Sequence, residues 1–248
     1  MKISKALLKT KAKATGIHFC LSLVVFFALA YQIFYVWYPP PYFVIDGGWQ
    51  GIRIVAAIDL VLGPFITFLI FDLSKSRREI TLDLLIIATV QIGALIYGVV
   101  TTYEQRPVAI VVVDDFAISA VENDYKSQLN SLDELKRYSP QNFPVIFMNI
   151  PLTPEGIKEM MRIRAEEDIA EHAQLQLYQP HSMLAPGLLK SQPAQLKRLQ
   201  EPVAKQDYQQ WLVQNQKKAE DVLVLPFIGR YGESWLVFAK NGKFLGHF

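Results

Sequence analysis

The chain has 248 residues, 51% hydrophobic and 19% charged, against about 45–50% and about 25% in ordinary soluble domains. A net charge of +2 is too small to favour a nucleic-acid partner. The single cysteine, Cys20, excludes an internal disulfide and any CxxC redox or zinc motif.

Nearly all charge lies before Gly16 and after Tyr103, apart from one short basic link. Residues 1–15 carry Lys2, Lys5, Lys9, Lys11 and Lys13, as a signal-peptide start does. The apolar run that follows, Gly16 to Tyr38, is about 23 residues long. That is enough to span a bilayer and exceeds the ~7–15 of a signal h-region. It ends in Trp37-Tyr38-Pro39 with no small-x-small cleavage site, so it predicts an uncleaved first membrane helix. Pro39, Pro40 and Pro41 force the chain out of that helix. Ile52 to Leu73 and Ile80 to Tyr103 are the predicted second and third spans. Between them, Ser74 to Glu79 is short and basic. The Tyr38–Gly51 turn holds no Lys or Arg and carries Asp46. The positive-inside rule then puts the N-terminus and the basic link in the cytoplasm. Everything after Tyr103 falls on the far side, the periplasm in a Gram-negative cell. The predicted organisation is a basic cytoplasmic segment (1–15), a three-helix transmembrane domain (16–103) and a periplasmic domain (104–248).

From Arg106 the pattern changes. Pro107–Val113 is a β-branched run that reads as a buried strand, ended by Asp114-Asp115. Ser131 and Glu134 make a capping box for a short helix to Tyr138. Phe143–Ile150 is a second buried strand. Thr153-Pro154-Glu155 starts a helix expected to run to about His172. Leu175–Gln200, punctuated by Pro180, Pro186 and Pro193, reads as loop with short helical turns. A last helix is expected over Glu201–Lys218. Val222–Ile228 and Ser234–Ala239 are strands joined by a loop at Gly229-Arg230-Tyr231-Gly232. Asn241-Gly242 is a tight hairpin turn, and Lys243–Phe248 returns as an edge strand. The tail is therefore a mixed α/β domain, with a closing meander that suggests a thioredoxin-like topology.

Asp59 is the costly residue of the second span. An isolated acid inside a bilayer costs at least about 2.5–3.5 kcal/mol, so it needs a partner. Arg53, six residues earlier, is off the same helix face. Asp59 therefore bonds a neighbouring helix of this chain, docks a partner's membrane helix, or relays protons. Gly63-Pro64 predicts a kink, which serves packing or opens a groove. Asp46, Gly47, Gly48, Trp49 and Gln50 form a boundary turn, or a recognition surface with an aromatic anchor. Asp72 and Asp83 flank the basic link beside Lys75, Arg77 and Arg78. Gln91 and Gly93 lie in the third span, where Ala94 and Gly98 make a small-xxx-small pair suited to close helix packing within the chain or to association with another membrane protein. The histidines, His18, His172, His181 and His247, form no metal-ligand motif, and no cofactor loop is present. The competing reading is a membrane-anchored periplasmic hydrolase or isomerase. It requires Asp114 or Asp115 beside His172 or His181 in one concavity.

Tyr38-Pro39, Pro41-Tyr42-Phe43, Asp46-Gly47-Gly48, Gln50-Gly51, Arg53 and Asp59-Leu60 through Leu62-Gly63-Pro64 carry a resemblance. In these residues and in the order of its segments, the chain resembles the TfpX/TfpZ family of type IV pilin accessory proteins, inner-membrane proteins of Gram-negative bacteria. The resemblance implies a non-enzymatic role in pilus biogenesis, with type IV pilin or pilus-assembly membrane proteins as partners. The residues expected to meet them are Tyr42, Asp46, Gly47, Gly48, Trp49, Gln50, Arg53, Asp59, Gly63 and Pro64.

Overall fold

The computed structural model describes residues 5–72 and 74–248. Lys2 and Leu73, which figure in the expectations above, lie outside them. The chain forms two compact units, Met1–Phe43 with Gly47–Glu104 and Val44–Asp46 with Gln105–Phe248.

The first unit is helical. Helix α1 (Lys5–Tyr31) runs into a wider π-type segment, Gln32–Trp37. The Tyr38 N–H closes that segment on the Ile33 carbonyl at 2.8 Å. Pro39 then has no N–H to continue the ladder. A short turn, α2 (Tyr42–Ile45), leads to Gly47, whose φ of +112° suits glycine. Next come α3 (Gly48–Ala56), a second widened segment (Ala57–Leu62) and α4 (Gly63–Ile70). Pro64 cannot donate to the Leu60 carbonyl, and its ring crowds that group. The helix accommodates it by opening the preceding turn, where Gly63 N–H bonds back to Ile58. Helix α5 (Arg77–Glu104) completes the unit.

Leu7–Trp37, Gly48–Ile70 and Arg77–Glu104 are each long and apolar enough to cross a bilayer. The first begins well before Gly16, because lysine is a good helix former and nothing between Lys5 and Thr15 stops the helix. The second stretch packs against both others. Tyr38 Oη donates to the Thr102 carbonyl at 2.9 Å, tying the end of the first stretch to that of the third. At the opposite end Lys11 Nζ reaches the Leu69 carbonyl at 2.9 Å, and Lys75 pairs with Asp83 at 2.6 Å.

The second unit is a mixed α/β domain. Its strands are β1 (Pro107–Val113), β2 (Phe116–Val121), β3 (Val145–Met148), β4 (Val222–Ile228), β5 (Glu233–Ala239) and β6 (Phe244–His247). They form one sheet in the order β3-β1-β2-β4-β5-β6, with β1–β3 and β2–β4 parallel and the other neighbours antiparallel. Its helices are α6 (Glu122–Tyr125), α7 (Pro154–Glu166), α8 (Leu184–Arg198) and α9 (Pro202–Gln214). Val111, Val113, Ile146 and Met148 pack with Tyr125 and Tyr178 in one core cluster. In another, Tyr208, Trp211 and Leu212 of α9 cover Val222, Val224 and Val237. The Ser131 and Thr153 caps form as expected, accepting from Asp133 and Gly156 N–H. The turn at Gly242 has φ +82°.

Several expectations are corrected. The residues after Asp114-Asp115 form β2, because Asp114 adopts φ +45° and turns the chain straight back along β1. A thioredoxin-like topology is not shown: β1 and β2 are joined directly as this hairpin. Helix α7 stops at Glu166, and Asp168 has φ +54°. The segment after Ser131 is a 3-10 helix, Leu132–Arg137. The stretch expected as loop contains α8. Pro186 falls in its first turn, where no donor is needed. Pro193 is interior, and the helix holds through a buried face of Leu184, Leu188 and Gln195. Gln192 on α8 exchanges two hydrogen bonds with the Val224 backbone (3.1 and 2.9 Å), satisfying β4 where its short ladder with β2 leaves it unpaired.

Candidate functional site

In the helical unit, a cavity of about 620 Å³ has mostly apolar walls and a polar floor. Asp59 sits on the widened segment of the second stretch, 2% exposed. Its Oδ1 accepts from Gln91 Nε2 on α5 at 3.1 Å, and the same amide nitrogen lies 3.5 Å from Ser22 Oγ on α1. Among the described residues, Asp59 Oδ2 has no hydrogen-bond partner. Gly63 explains how Gln91 gets there: a Cβ at that position would fall 2.6 Å from the Gln91 amide atoms. One turn further along, Thr67 Oγ1 donates to the Gly63 carbonyl at 3.1 Å. It also meets His18 Nδ1 at 2.6 Å. With the hydroxyl proton given to Gly63, that second bond assigns the imidazole proton to Nδ1.

Eight of the ten expected residues fall into three groups; Gly47 caps α3, half-buried, and Asp46 lies apart. Asp59, Gly63 and Pro64 are buried, Asp59 at this floor and Gly63 and Pro64 one turn behind it, outside the cavity lining. Trp49 and Arg53 are exposed, with the guanidinium 5.5 Å from the indole centroid, a cation–π contact. Arg53 thus faces Trp49, away from Asp59. Tyr42 and Gly48 are buried and Gln50 is half-buried. Gly48 is enclosed: a Cβ there would lie 2.9 Å from Phe43 Cα. Gln91 was expected among positions for packing or for association with another membrane protein, His18 was weighed only as a metal ligand, and Ser22 and Thr67 were not singled out. The available signal was a set of polar side chains within three otherwise apolar stretches.

Asp46 belongs to the second unit and is 1% exposed. Its Oδ1 accepts from Arg230 N–H at 3.3 Å, while Ile45 accepts from Tyr231 N–H at 2.8 Å. Burial pushes the Asp46 carboxyl above its usual range; the Ser119 hydroxyl and the Arg230 amide and guanidinium oppose that rise, and Asp124 adds to it. A carboxyl raised in the folded state favours folding where it is protonated, and that contribution fades as pH rises through the raised value. Lowering pH from neutral toward the ordinary carboxylate range is therefore expected to raise the melting temperature of the wild type relative to Asp46→Asn. A gap between the two proteins that does not move with pH contradicts the assignment.

Beside Asp46, a concavity of about 340 Å³ is lined by Ser119, Asp124, His172 and Arg230. Asp124 Oδ2 accepts from Val121 N–H at 2.8 Å and lies 3.1 Å from His172 Nε2. The enzymatic reading asked for Asp114 or Asp115 here. Asp115 instead pairs with Arg198 at 2.7 Å, and the Ser119 hydroxyl is directed to Asp46. Among the described residues, no three His, Cys, Asp or Glu side chains are placed to hold one metal ion.

Comparison with known proteins bears on what this arrangement serves. The family model for fimbrial assembly protein FimB matches residues 6–47, the first apolar helix and the turn after it. The fimbrial assembly protein of serogroups C1 and C2 of Dichelobacter nodosus is 43% identical over 100 residues, covering 40% of this chain and 76% of that protein. The serogroup E1 protein of the same organism is 39% identical over 130 residues, 52% of this chain and 49% of the relative. The serogroup A1 protein is 62% identical over 39 residues, 16% and 81%. Against the E1 protein, and likewise that of serogroup I, the chain spans about half the relative's length. No solved structure matches. Identity of this order across three quarters of a curated relative, together with the match on the first helix and its turn, places the chain in the fimbrial assembly protein family.

Proposed function

We propose that the chain is an inner-membrane accessory factor of type IV pilus biogenesis, of the TfpX/TfpZ kind. It acts by binding pilin or pilus-assembly membrane proteins and so modulates pilin assembly or stability. The observation that carries this reading is the match to fimbrial assembly proteins. The polar floor at Asp59 supplies a mechanism, since an acid kept in an apolar helix at a cost marks a functional position. The Asp124–His172 pair is a buttress: Asp124 caps the Val121 amide, and the His172 carbonyl accepts from Tyr178 Oη at 2.7 Å.

In this reading the three apolar helices cross the inner membrane and the sheet unit is periplasmic. Lys11 and Lys75 stand at one end of the helical unit, as the positive-inside rule requires of the cytoplasmic end. A phosphatase that is active only after export, fused after Phe248, is expected to be active. Fused after Ser76, it is expected to be silent. The reverse pattern contradicts this topology. Binding is tested by capturing the full chain from membranes of fimbriated cells in mild detergent. Co-elution of the fimbrial subunit or an assembly protein is expected; recovery of the chain alone counts against the reading.

A further inference from the structure

We infer that the cavity over Asp59 is the seat for one transmembrane helix of the partner, which presents a hydroxyl or amide side chain to Asp59 Oδ2. This rests on the proposal that the chain binds a membrane protein of fimbrial assembly. The second apolar stretch forms the floor, and α1 and α5 form the walls. The lining runs from Thr10 to Val25 on α1 and from Leu84 to Leu95 on α5. At 1.5 Å per residue the α1 wall is about 22 Å long and the α5 wall about 17 Å, roughly four and three helical turns. Both walls run along their helices for three turns or more, so the cavity is a trough along the helix axes.

The trough is mostly apolar, with Thr10 and Lys13 toward one end of α1, and Asp59 with Gln91, Ser22, Thr67 and His18 making a polar group at the floor that decides the occupant. Asp59 Oδ2 is buried and lacks a hydrogen-bond partner among the described residues, while Oδ1 is held by Gln91. An acyl chain fills apolar volume but brings nothing to that oxygen, and a lipid headgroup stays at the interface. A helix with all backbone bonds internal and one polar side chain at mid-depth satisfies both walls and floor. Leu21 and Ile92, on opposite walls, are 65% and 57% exposed and would form its apolar contacts.

The test places a photo-crosslinking amino acid in the full chain, in living fimbriated cells, at Leu21, at Ile92, or at Val61, which is exposed outside the trough. Adducts to a membrane-spanning partner protein are expected at Leu21 and Ile92, about tenfold above Val61. They should fall by a similar factor in Asp59→Leu and persist in Asp59→Asn, which keeps a hydrogen-bonding group. Adducts to lipid only, to a second copy of the chain, or equally from Val61 overturn the proposal, and none of these needs a variant at Asp59. If fimbriae depend on the chain but no partner-helix adduct forms, the seat is wrong and the fimbrial reading stands. If such adducts form in cells whose fimbriation does not need the chain, the fimbrial reading is wrong.

Discussion

Asp59→Leu is expected to lower surface fimbriation at least about tenfold while the chain stays inserted and abundant. The two effects separate because they rest on different terms. Removing an acid from an apolar helix relieves about 2.5–3.5 kcal/mol of insertion cost. The bond lost to Gln91 contributes about 0.6 kcal/mol on average for such contacts, and about 1.7 at most. A residue kept only for structure would therefore be improved by leucine. Asp59→Asn, which retains a partner for Gln91, should keep most of the fimbriation. The measurement is fimbriae per cell beside the membrane level of the chain by immunoblot. Leucine at full fimbriation, or loss of the chain itself, contradicts the role given to Asp59.

The largest effect on stability is expected at Gly229. A Cβ there would stand 2.5 Å from the Ile45 carbonyl oxygen and 3.0 Å from its carbon, both backbone atoms. No rotamer change can make room. The same oxygen accepts from Tyr231 N–H at 2.8 Å, so displacing it also breaks that bond. Gly229→Ala should cost the sheet unit about 3 kcal/mol from overpacking and a lost buried bond. In purified full chain this would appear as a clear drop in melting temperature and faster proteolysis after Glu104. Gly16→Ala, where no atom lies within 4 Å, is the matched control. Equal melting for the two variants contradicts the packing of Ile45 on Gly229.

Much of the architecture was legible because each signal was local. Three apolar stretches and the β-branched runs at Pro107–Val113, Val145–Met148 and Val222–Ile228 announce themselves by period and length. Strand β2 did not, because Phe116–Val121 mixes small residues with apolar ones and follows an Asp-Asp pair that looks like a terminus. Helix α8 was hidden by its prolines, whose cost is offset by packing that no local rule can foresee. The site divides the same way. Asp59 stands out as an acid among apolar residues, but its bond to Gln91 joins positions 32 apart in sequence. Asp46 looked like a turn residue at a boundary. Its burial depends on Arg230, 184 positions away. Periodicity assigns a residue to a face; which faces meet is decided by tertiary packing.

The most direct measurement is a count of surface fimbriae in cells from which this chain has been removed, with the fimbrial subunit quantified in the same cells. Marked loss of fimbriae, reversed by the intact chain and not by Asp59→Leu, is the predicted result. Normal fimbriation and normal subunit levels without the chain would contradict the assignment.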